Sequence, residues 1–254
     1  MKFQAQHQQF VDQGYAVFPG LLLDEPLEIL REACDRFVAR EDARMDEAGV
    51  DSLGLSHRGR RYFANECQRE QPVLRQVLFG EAMLDVCRAT LGDDAYFFFD
   101  QYVVKGPERG LAFGWHQDSG YMAGNGGPAD HAPYLTCWCP LDDATVDNGT
   151  VRVLPFSAVP AARDAILPHR RQAATRDLTV EVEDQAGVPI EAAAGDVVAF
   201  SSRLPHATGP NLTTTPRRVY LAQYTPEAVV DPGTRHLRRN AIALLRGGRR
   251  VIAV

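Results

Sequence analysis

Residues 96–104 read Tyr-Phe-Phe-Phe-Asp-Gln-Tyr-Val-Val, and the pattern of the chain changes at this stretch. Aromatic and β-branched residues of this kind are enriched in strands. Downstream, short β-rich runs alternate with turn clusters, which is typical of a sandwich or jelly roll. The further predicted strands are 113–118, 134–140, 150–154, 178–182, 196–200 and 217–224. We therefore predict a mainly β fold with flanking helices, built on a double-stranded β-helix of the cupin-like jelly-roll type.

The residues before this stretch, 1–95, have a mainly helical pattern. Apolar side chains recur three residues apart at Leu27 and Leu30, and the spacing continues over 73–84. This period predicts helices that bury one face. The run 15–18, Tyr-Ala-Val-Phe, lies between glycine and proline residues and predicts one short strand within this part.

Length and composition favour one elaborated globular domain over residues 1–254. The chain is 45% hydrophobic and 24% charged, which is ordinary for a protein with a packed core. We expect a helical part at 1–95, the jelly-roll core at 96–228 and a basic tail at 229–254. The polar, glycine-containing segment 43–61 is expected to be a mobile lid or a solvated loop.

The charge of the chain argues against a partner with a phosphate backbone. The formal net charge is −6, whereas nucleic-acid binders carry a basic surface. Residues 235–250 depart from this balance, with six arginines and no acid. This segment either steers an anionic ligand or forms an ordinary basic surface or subunit contact.

Cysteine usage and hydropathy predict a cytoplasmic location. Five scattered cysteines are an odd number in a chain long enough to fold without disulfides, which favours a reducing compartment. The N-terminus lacks the apolar segment of a signal peptide, and no apolar run reaches about 18 residues. We expect no membrane partner, and a monomer or a homodimer.

The first chemical motif is Gly114-Trp-His-Gln-Asp118. If this motif is a strand, His116 and Asp118 project to the same side and Gln117 projects to the other. One imidazole and one carboxylate then converge on a point. Such a pair is common by chance, so it indicates a metal site only together with a third ligand.

His206 supplies a third ligand from a distant part of the chain. It follows the apolar strand predicted at 196–200 and a short turn, so an antiparallel fold can return it to His116 and Asp118. Two histidines and one carboxylate are typical of non-haem Fe(II) oxygenases. The same ligands are compatible with a hydrolytic zinc site, so they leave the metal undecided.

Two consecutive arginines open the predicted strand 217–224. If Arg217 points inward, its planar guanidinium offers a fork of donors to a carboxylate. Thr208, two residues after His206, can add a hydroxyl to the same carboxylate. A pair of surface arginines at a strand end is the alternative.

These motifs together resemble those of the phytanoyl-CoA dioxygenase family of Fe(II)/2-oxoglutarate oxygenases. The resemblance covers about residues 8–226, which is most of the chain. The stretches that carry it are 10–20 (Phe-Val-Asp-Gln-Gly-Tyr-Ala-Val-Phe-Pro-Gly), 115–118 (Trp-His-Gln-Asp), 147–149 (Asp-Asn-Gly), His206 and 216–218 (Pro-Arg-Arg).

The resemblance implies an iron site and a 2-oxoglutarate site. Fe(II) would be bound by His116, Asp118 and His206, with O2 at a further position of the metal. The arginine that binds the distal carboxylate of 2-oxoglutarate falls on Arg217, and Arg218 would then face outward.

Three further positions look like parts of the 2-oxoglutarate pocket. Thr208 would support the carboxylate bound by the arginine, and Gln101 and Trp138 correspond to pocket positions of the family. The family usually reads Pro-Gly-Ser-His where this chain has Pro-Phe-Ser-Ala at 155–158. That histidine is not an iron ligand in the family, so the difference implies a changed pocket rim and an intact metal site.

The implied function is hydroxylation of an unactivated C–H bond in a small molecule, with release of succinate and CO2. Desaturation, epoxidation or cyclisation at the same iron site are the alternatives. Because Asp118 is retained, halogenation is disfavoured, since related halogenases replace this carboxylate by a small residue. A non-catalytic jelly-roll binding protein and a zinc hydrolase are the rival hypotheses, and neither accounts for Arg217.

Other polar side chains receive no predicted role. His131 is expected in an exposed loop, and Tyr121 and Met122 belong either to the substrate pocket or to the core. The remaining histidines, in polar surroundings, are His7, His57, His169 and His236.

Overall fold

The computed structural model describes residues 2–107, 112–124, 131–172, 177–182, 186–230 and 241–252. Helices within these ranges are α1 (Gln4–Gln13), α2 (Glu25–Ala48), α3 (Cys67–Glu70), α4 (Arg75–Leu78), α5 (Glu81–Thr90), α6 (Asp118–Gly124) and α7 (Ala161–Asp164), with a 3-10 turn at Pro72–Leu74. No helix in the described ranges is long and apolar enough to span a membrane.

Strands within the same ranges are β1 (Tyr15–Phe18), β2 (Ser52–Leu53), β3 (Ser56–His57), β4 (Arg61–Asn65), β5 (Ala95–Lys105), β6 (Phe113–His116), β7 (Leu135–Pro140), β8 (Val151–Val153), β9 (His169–Arg171), β10 (Leu178–Val180), β11 (Val188–Pro189), β12 (Val197–Ser201), β13 (His206–Thr208), β14 (Arg217–Thr225), β15 (Ile242–Arg246) and β16 (Arg249–Arg250).

The strands form a large and a small antiparallel sheet that enclose a cavity. The large sheet has the order β1-β12-β7-β14-β5-β4-β3-β2, and β15 also pairs with β5 and with β16. The small sheet has the order β11-β8-β13-β6, and β9 pairs separately with β10. The fold is mainly β with flanking helices and a cupin-like jelly-roll core, as the sequence predicts.

The two faces of the large sheet have different partners. Side chains alternate between faces along a strand. On one face, Tyr102 and Tyr220 stack with ring centroids 4.6 Å apart, and the Tyr102 hydroxyl donates to the carbonyl of Leu30 in α2. On the other face, buried side chains such as Trp138 and Phe200 pack towards the small sheet. The helices therefore cover one face and leave the other to form the cavity.

Helix α2 is held against the sheet by its apolar stripe. Leu27, Leu30 and Phe37 are all buried, as their spacing predicts. Pro26 occupies the first turn, where a missing N–H costs nothing, and Gly49 ends the helix in the left-handed conformation, with φ of 65°.

The structure differs from the sequence prediction at segment 43–61. This segment contains the end of α2, the hairpin β2–β3 and the start of β4, so it is not an irregular loop, and Gly54 and Leu55 at the tip of the hairpin line the cavity. Arg58 forms ion pairs with Asp42 and Asp46, which bind the hairpin to α2, and with Asp51 just before β2. Because polar contacts stabilise this segment, it does not need an apolar face. Its sequence therefore shows no apolar periodicity from which a helix or strand could be predicted.

The sheet also extends beyond the predicted limits of the core, 96–228. Strands β2 to β4 come from the part expected to be mainly helical, whereas β1 is the strand predicted there at 15–18. Strand β15 comes from the expected basic tail and pairs with β5. Arg246 pairs with Asp94 through side chains. Arg249 and Arg250 form β16, and the remaining tail residues singled out by the sequence, Arg235, His236, Arg238 and Arg239, lie outside the described residues.

Candidate metal and cosubstrate site

Two histidines lie side by side on neighbouring strands of the small sheet. His116 ends β6 and His206 begins β13, and the two are directly opposite in the antiparallel register, with ring centroids 4.2 Å apart. Each Nδ1 donates to a carbonyl two residues earlier, His116 to Gly114 (2.8 Å) and His206 to Leu204 (3.0 Å). Both Nε2 atoms therefore carry lone pairs that are directed to the same place.

Asp118 completes the group with one carboxylate oxygen. Its Oδ1 lies 4.0 Å from Nε2 of His116 and 3.6 Å from Nε2 of His206. Its Oδ2 accepts hydrogen bonds from Oγ1 of Thr136 (2.6 Å) and Nε2 of Gln223 (3.1 Å). The three ligand atoms all lie within 4.8 Å of one another. One oxygen is thus fixed by the protein, and the other is available to a metal.

The protonation state of His116 suits metal binding. Burial, followed by the neighbouring His206, lowers the pKa of the His116 imidazole to about 3. At neutral pH the ring is therefore neutral, which is the form that coordinates a metal. Two imidazoles and one carboxylate on one side of a point are the donor set of non-haem Fe(II) sites, so these residues fit such an ion.

Gln117, between the two ligand residues, is fully buried, and its backbone and side chain are hydrogen-bonded to the protein. Its side-chain nitrogen donates to the carbonyls of Ala165 and Arg203, and its side-chain oxygen accepts from the backbone N–H of Leu167. Its own N–H donates to Nε2 of His169 over 3.1 Å. Gln117 thus connects the His116–Asp118 turn to the segment that precedes His206.

A second contact also joins the His116–Asp118 turn to the segment that precedes His206. The hydroxyl of Ser119 donates to that of Ser202 over 2.8 Å, and the N–H of Ser119 donates to the Ser202 carbonyl over 2.9 Å. Gly120 lies directly against the ring of His169, where a Cβ atom would collide with the imidazole. The start of α6 is therefore fitted closely to its surroundings.

Arg217 lies at the other end of the site with unpaired donors. The residue is 1% exposed, and its guanidinium lies over the ring of Trp138 at 5.4 Å. Nε and Nη1 are buried and have no hydrogen-bond partner among the described residues. Burial lowers the pKa of Arg217 to about 10, so the group is still a cation at neutral pH. A buried cation with unused donors fits the carboxylate of a bound ligand.

Lys105 is a buried amine beside Arg217. Its Nζ donates to Oγ1 of Thr208 (2.7 Å) and to the carbonyl of Gly209 (2.6 Å). Lys105 is opposite Arg217 on one side and Arg61 on the other in the large sheet. Burial, with smaller contributions from these two cations, lowers the pKa of Lys105 to about 6. Lys105 is therefore mainly neutral at neutral pH, and the cation Arg217 is the group that favours an anion at this end of the cavity.

Arg218 points to the opposite side of β14. Its guanidinium donates to both carboxylate oxygens of Asp142, at 3.0 and 2.7 Å, and to Asp35 at 2.9 Å. The two consecutive arginines therefore face different sides of the strand, with Arg217 inward and Arg218 outward, as the sequence predicts.

The site opens into a single cavity of about 1030 Å³. Every candidate residue from the sequence lines it: Gln101, His116, Asp118, Trp138, His206, Thr208 and Arg217. Tyr121 and Met122 line it as well. Gln101 donates its side-chain N–H to Oδ1 of Asn65 on the neighbouring strand. The cavity therefore connects the histidine pair with the arginine.

Comparison with known families identifies the relatives of this chain. The phytanoyl-CoA dioxygenase (PhyH) family profile matches residues 10–219, which is most of the chain. The protein belongs to the phytanoyl-CoA dioxygenase family. This PhyH protein is an Fe(II)/2-oxoglutarate-dependent oxygenase, and its cofactors are Fe(II), 2-oxoglutarate as cosubstrate and O2.

Individual relatives agree with the family assignment. The PhyH protein is 28% identical over 227 residues to an ectoine dioxygenase from Halomonas elongata, a match that covers 84% of this chain and 67% of the relative. The crystal structure of EvdO2 from Micromonospora carbonacea var. aurantiaca in complex with 2-oxoglutarate superposes with a TM-score of 0.70 and 26% identity. That superposition covers 91% of this chain and 95% of EvdO2. The carbocyclase SnoK from nogalamycin biosynthesis shares the fold, with a TM-score of 0.67, 20% identity and coverage of 96% and 87%.

Several residues that support the candidate ligands could not be predicted from the sequence pattern. Thr136 and Gln223 bind the second oxygen of Asp118, and Gln117 and His169 support the turn between the ligands. His169 was expected to have no role, yet both of its ring nitrogens are hydrogen-bonded next to the site. The strand predicted at 113–118 ends at His116, because Asp118 already begins α6.

His131 also differs from its prediction. It is half-buried, and its ring lies 5.4 Å from that of Tyr134 instead of standing in an exposed loop.

Proposed function

We propose that this PhyH protein hydroxylates an unactivated C–H bond of a small molecule at an iron bound by His116, Asp118 and His206. The reaction converts 2-oxoglutarate, O2 and substrate into succinate, CO2 and an alcohol. The observation that carries the proposal is that three converging ligand atoms and the unpaired donors of Arg217 border the same cavity.

The metal ligands are prepared for an ion by their hydrogen bonds. The Nδ1 bonds of His116 and His206 orient both imidazoles, and Thr136 and Gln223 hold one oxygen of Asp118 so that the other points towards the histidines. Fixed orientation of this kind lowers the cost of ordering ligands when the metal binds.

The 2-oxoglutarate would lie between the metal ligands and the cationic end of the cavity. Arg217 would bind its distal carboxylate through Nε and Nη1, the two donors without a partner. Thr208 keeps a hydroxyl proton for the same carboxylate, because its oxygen accepts from Lys105. Trp138 and Gln101 would flank the bound molecule, since both line the cavity.

The metal and cosubstrate supply the oxidation when bound, by activating O2 and transferring one oxygen atom to the substrate. The contribution of the chain is orientation and exclusion of water. His206 and Trp138 are almost completely buried, and His116 and Asp118 are mostly buried, so the protein limits the access of water to the ligand atoms.

Other reactions at the same site would differ from hydroxylation only in the substrate and in the way it is positioned. Desaturation, epoxidation and cyclisation use the same cofactors, and fold neighbours include a carbocyclase and an epimerase. Asp118 occupies the position at which halogenases lack a carboxylate, which disfavours halogenation. A non-catalytic binding protein has no need of the three metal ligands together with Arg217, and a zinc hydrolase gives no account of an arginine at this position.

Anaerobic spectroscopy tests the proposed metal and cosubstrate binding. Adding Fe(II) and 2-oxoglutarate to the protein should produce a weak visible charge-transfer band. His206→Ala should abolish the band, and the wild-type protein should release succinate and an alcohol once O2 and a substrate are supplied. A wild-type protein that gives no band contradicts the proposal.

A cytoplasmic location and a monomeric or homodimeric state stay predictions.

A further inference from the structure

A β-bulge in β5 places two adjacent phenylalanines on the same side of the large sheet. In the pairing with β14, Phe99 is opposite Gln223 and Phe97 is opposite Tyr224, so Phe98 has no partner. Bulges of this kind redirect side chains and are common next to active sites. As a result, Phe98 and Phe99 both line the cavity, whereas Phe97 is fully buried on the helical face.

The two rings belong to a larger apolar surface, here named the apolar wall and defined as Phe98, Phe99, Tyr121, Met122 and Tyr134. Phe98 packs edge-to-face on Tyr134, with centroids 5.4 Å apart, and lies 6.3 Å from Phe99. Phe98, Phe99 and Tyr121 remain partly exposed to the cavity. Apolar rings that border a cavity gain free energy when a ligand covers them.

The apolar wall is next to the proposed metal ligands. Phe99 is opposite Gln223 in the sheet, and Gln223 binds Asp118. Tyr121 lies edge-on to the ring of His116, with centroids 5.4 Å apart. A molecule that covers this wall therefore has its carbon atoms close to the metal position.

The charges that line the cavity elsewhere balance one another. Among the lining residues that the structure describes, the charged ones other than Asp118 and Arg217 are two acids and two bases, Glu66, Arg69, Arg171 and Asp177. Arg69 and Glu66 are paired at 2.7 Å. The described part of the lining therefore adds no net charge beside the apolar wall, which favours an uncharged substrate there.

We propose that the substrate is an uncharged, ring-containing small molecule whose flat face packs on the apolar wall. The proposal rests on the proposed function, because it names the substrate of that site. The cavity volume of about 1030 Å³ is at the upper end of ligand pockets, so it holds 2-oxoglutarate together with a multi-ring molecule. Aromatic faces recognise such rings through stacked or edge-to-face contacts.

Binding without turnover tests this proposal. The anaerobic protein with Fe(II) and 2-oxoglutarate is titrated with three uncharged ring compounds, flavanone, xanthone and 1-tetralone, and separately with the zwitterions ectoine and L-proline. The charge-transfer band reports binding. We expect at least one ring compound to shift the band saturably and neither zwitterion to do so.

Variants of the bulge locate the binding surface. Phe98→Ala and Phe99→Ala should weaken binding of the ring compound about 10-fold, since each removes a large apolar contact. Phe98→Leu keeps an apolar side chain and should lose less than about 3-fold. Leu212→Ala, at an exposed residue that does not line the cavity, should change nothing.

The results separate this proposal from the proposed function. If the band forms but no ring compound shifts it, or if the zwitterions bind and both alanine variants leave binding unchanged, the substrate class is wrong and the oxygenase site stands. If the band never forms in the wild-type protein, the proposed function fails first.

Discussion

The backbone N–H of Gln117 donates to Nε2 of His169 over 3.1 Å. The other ring nitrogen of His169 donates to the carbonyl of Leu167 at 2.7 Å, so the ring is a neutral imidazole with its proton on Nδ1. Gln117 stands between His116 and Asp118. The position of both candidate ligands is therefore coupled to an imidazole that cannot itself reach the metal.

Replacing His169 tests this coupling. His169→Phe keeps a ring against Gly120 but removes the acceptor of the Gln117 N–H, and an unsatisfied buried donor costs about 1–3 kcal/mol. We expect the free energy of unfolding of the metal-free protein to fall by this amount. We also expect Co(II) affinity, measured anaerobically, to fall about 10-fold because the ligand turn is less well held.

A second histidine provides the control for this experiment. His7 also donates to a carbonyl, that of Ala89, but on the helical side of the molecule. His7→Phe should lower stability without lowering Co(II) affinity. Equal metal affinity in His169→Phe and the wild-type protein would show that His169 has only a packing role.

The hydrogen bond from Thr136 to Asp118 gives the next prediction. Thr136→Val removes the 2.6 Å bond to Oδ2 and leaves Gln223 as the remaining side-chain donor. Loss of such a supporting bond typically costs about 10- to 100-fold in metal affinity. Thr136→Ser keeps the hydroxyl and should stay within about 3-fold of the wild-type affinity. Metal titration of both variants checks this, and a valine variant with unchanged affinity would contradict it.

The two consecutive arginines form a matched pair for testing cosubstrate binding. Arg217→Ala removes a buried, charge-assisted contact and should weaken 2-oxoglutarate binding by about 2–5 kcal/mol. Arg218→Ala breaks partly exposed ion pairs with Asp142 and Asp35, which should cost about 1 kcal/mol or less of stability. Its 2-oxoglutarate affinity, measured by calorimetry, should be unchanged. The placement of the cosubstrate is wrong if the two variants bind it equally well.

The local sequence pattern was sufficient to predict the parts of the fold that depend on the periodicity of side chains. The strand Tyr15–Phe18 and the opposite orientations of Arg217 and Arg218 follow from alternation along a strand. The residues around Asp118 could not be predicted in this way. Thr136 and Gln223 reach it from distant strands, 18 and 105 positions away in the chain, and nothing in their own neighbourhood indicates this contact.

The hairpin at 52–57 shows the same limit for secondary structure. Its residues lack apolar alternation, and Arg58 joins it to α2 through carboxylates up to 16 positions earlier. The bulge at Phe98 is similar, because an unpaired residue becomes visible only when the partner strand is known. Sequence reasoning therefore identified three candidate ligands that the fold brings together and missed the long-range polar contacts that hold them.

The last prediction concerns a carboxylate on the helical side of the sheet. Asp100 is 1% exposed and accepts hydrogen bonds from the hydroxyl of Tyr220 (2.8 Å) and the N–H of Gln68 (2.9 Å). Burial outweighs these bonds and raises the pKa of Asp100 to about 6. In the unfolded chain an aspartate titrates near pH ~3.9. The folded protein therefore binds a proton more tightly than the unfolded chain between these two values.

This difference makes stability fall as the pH rises. Asp100 contributes about 3 kcal/mol at most to the free energy of unfolding. This contribution is fully present below pH ~4 and is lost as the pH increases through about 6. Asp100→Asn removes the titration, so its free energy of unfolding should lack this decline when urea unfolding is measured from pH 4 to pH 8. Asp164→Asn, at an exposed carboxylate, should keep the wild-type pH dependence. If the Asp100→Asn curve runs parallel to that of the wild-type protein over this range, Asp100 is not the group that titrates.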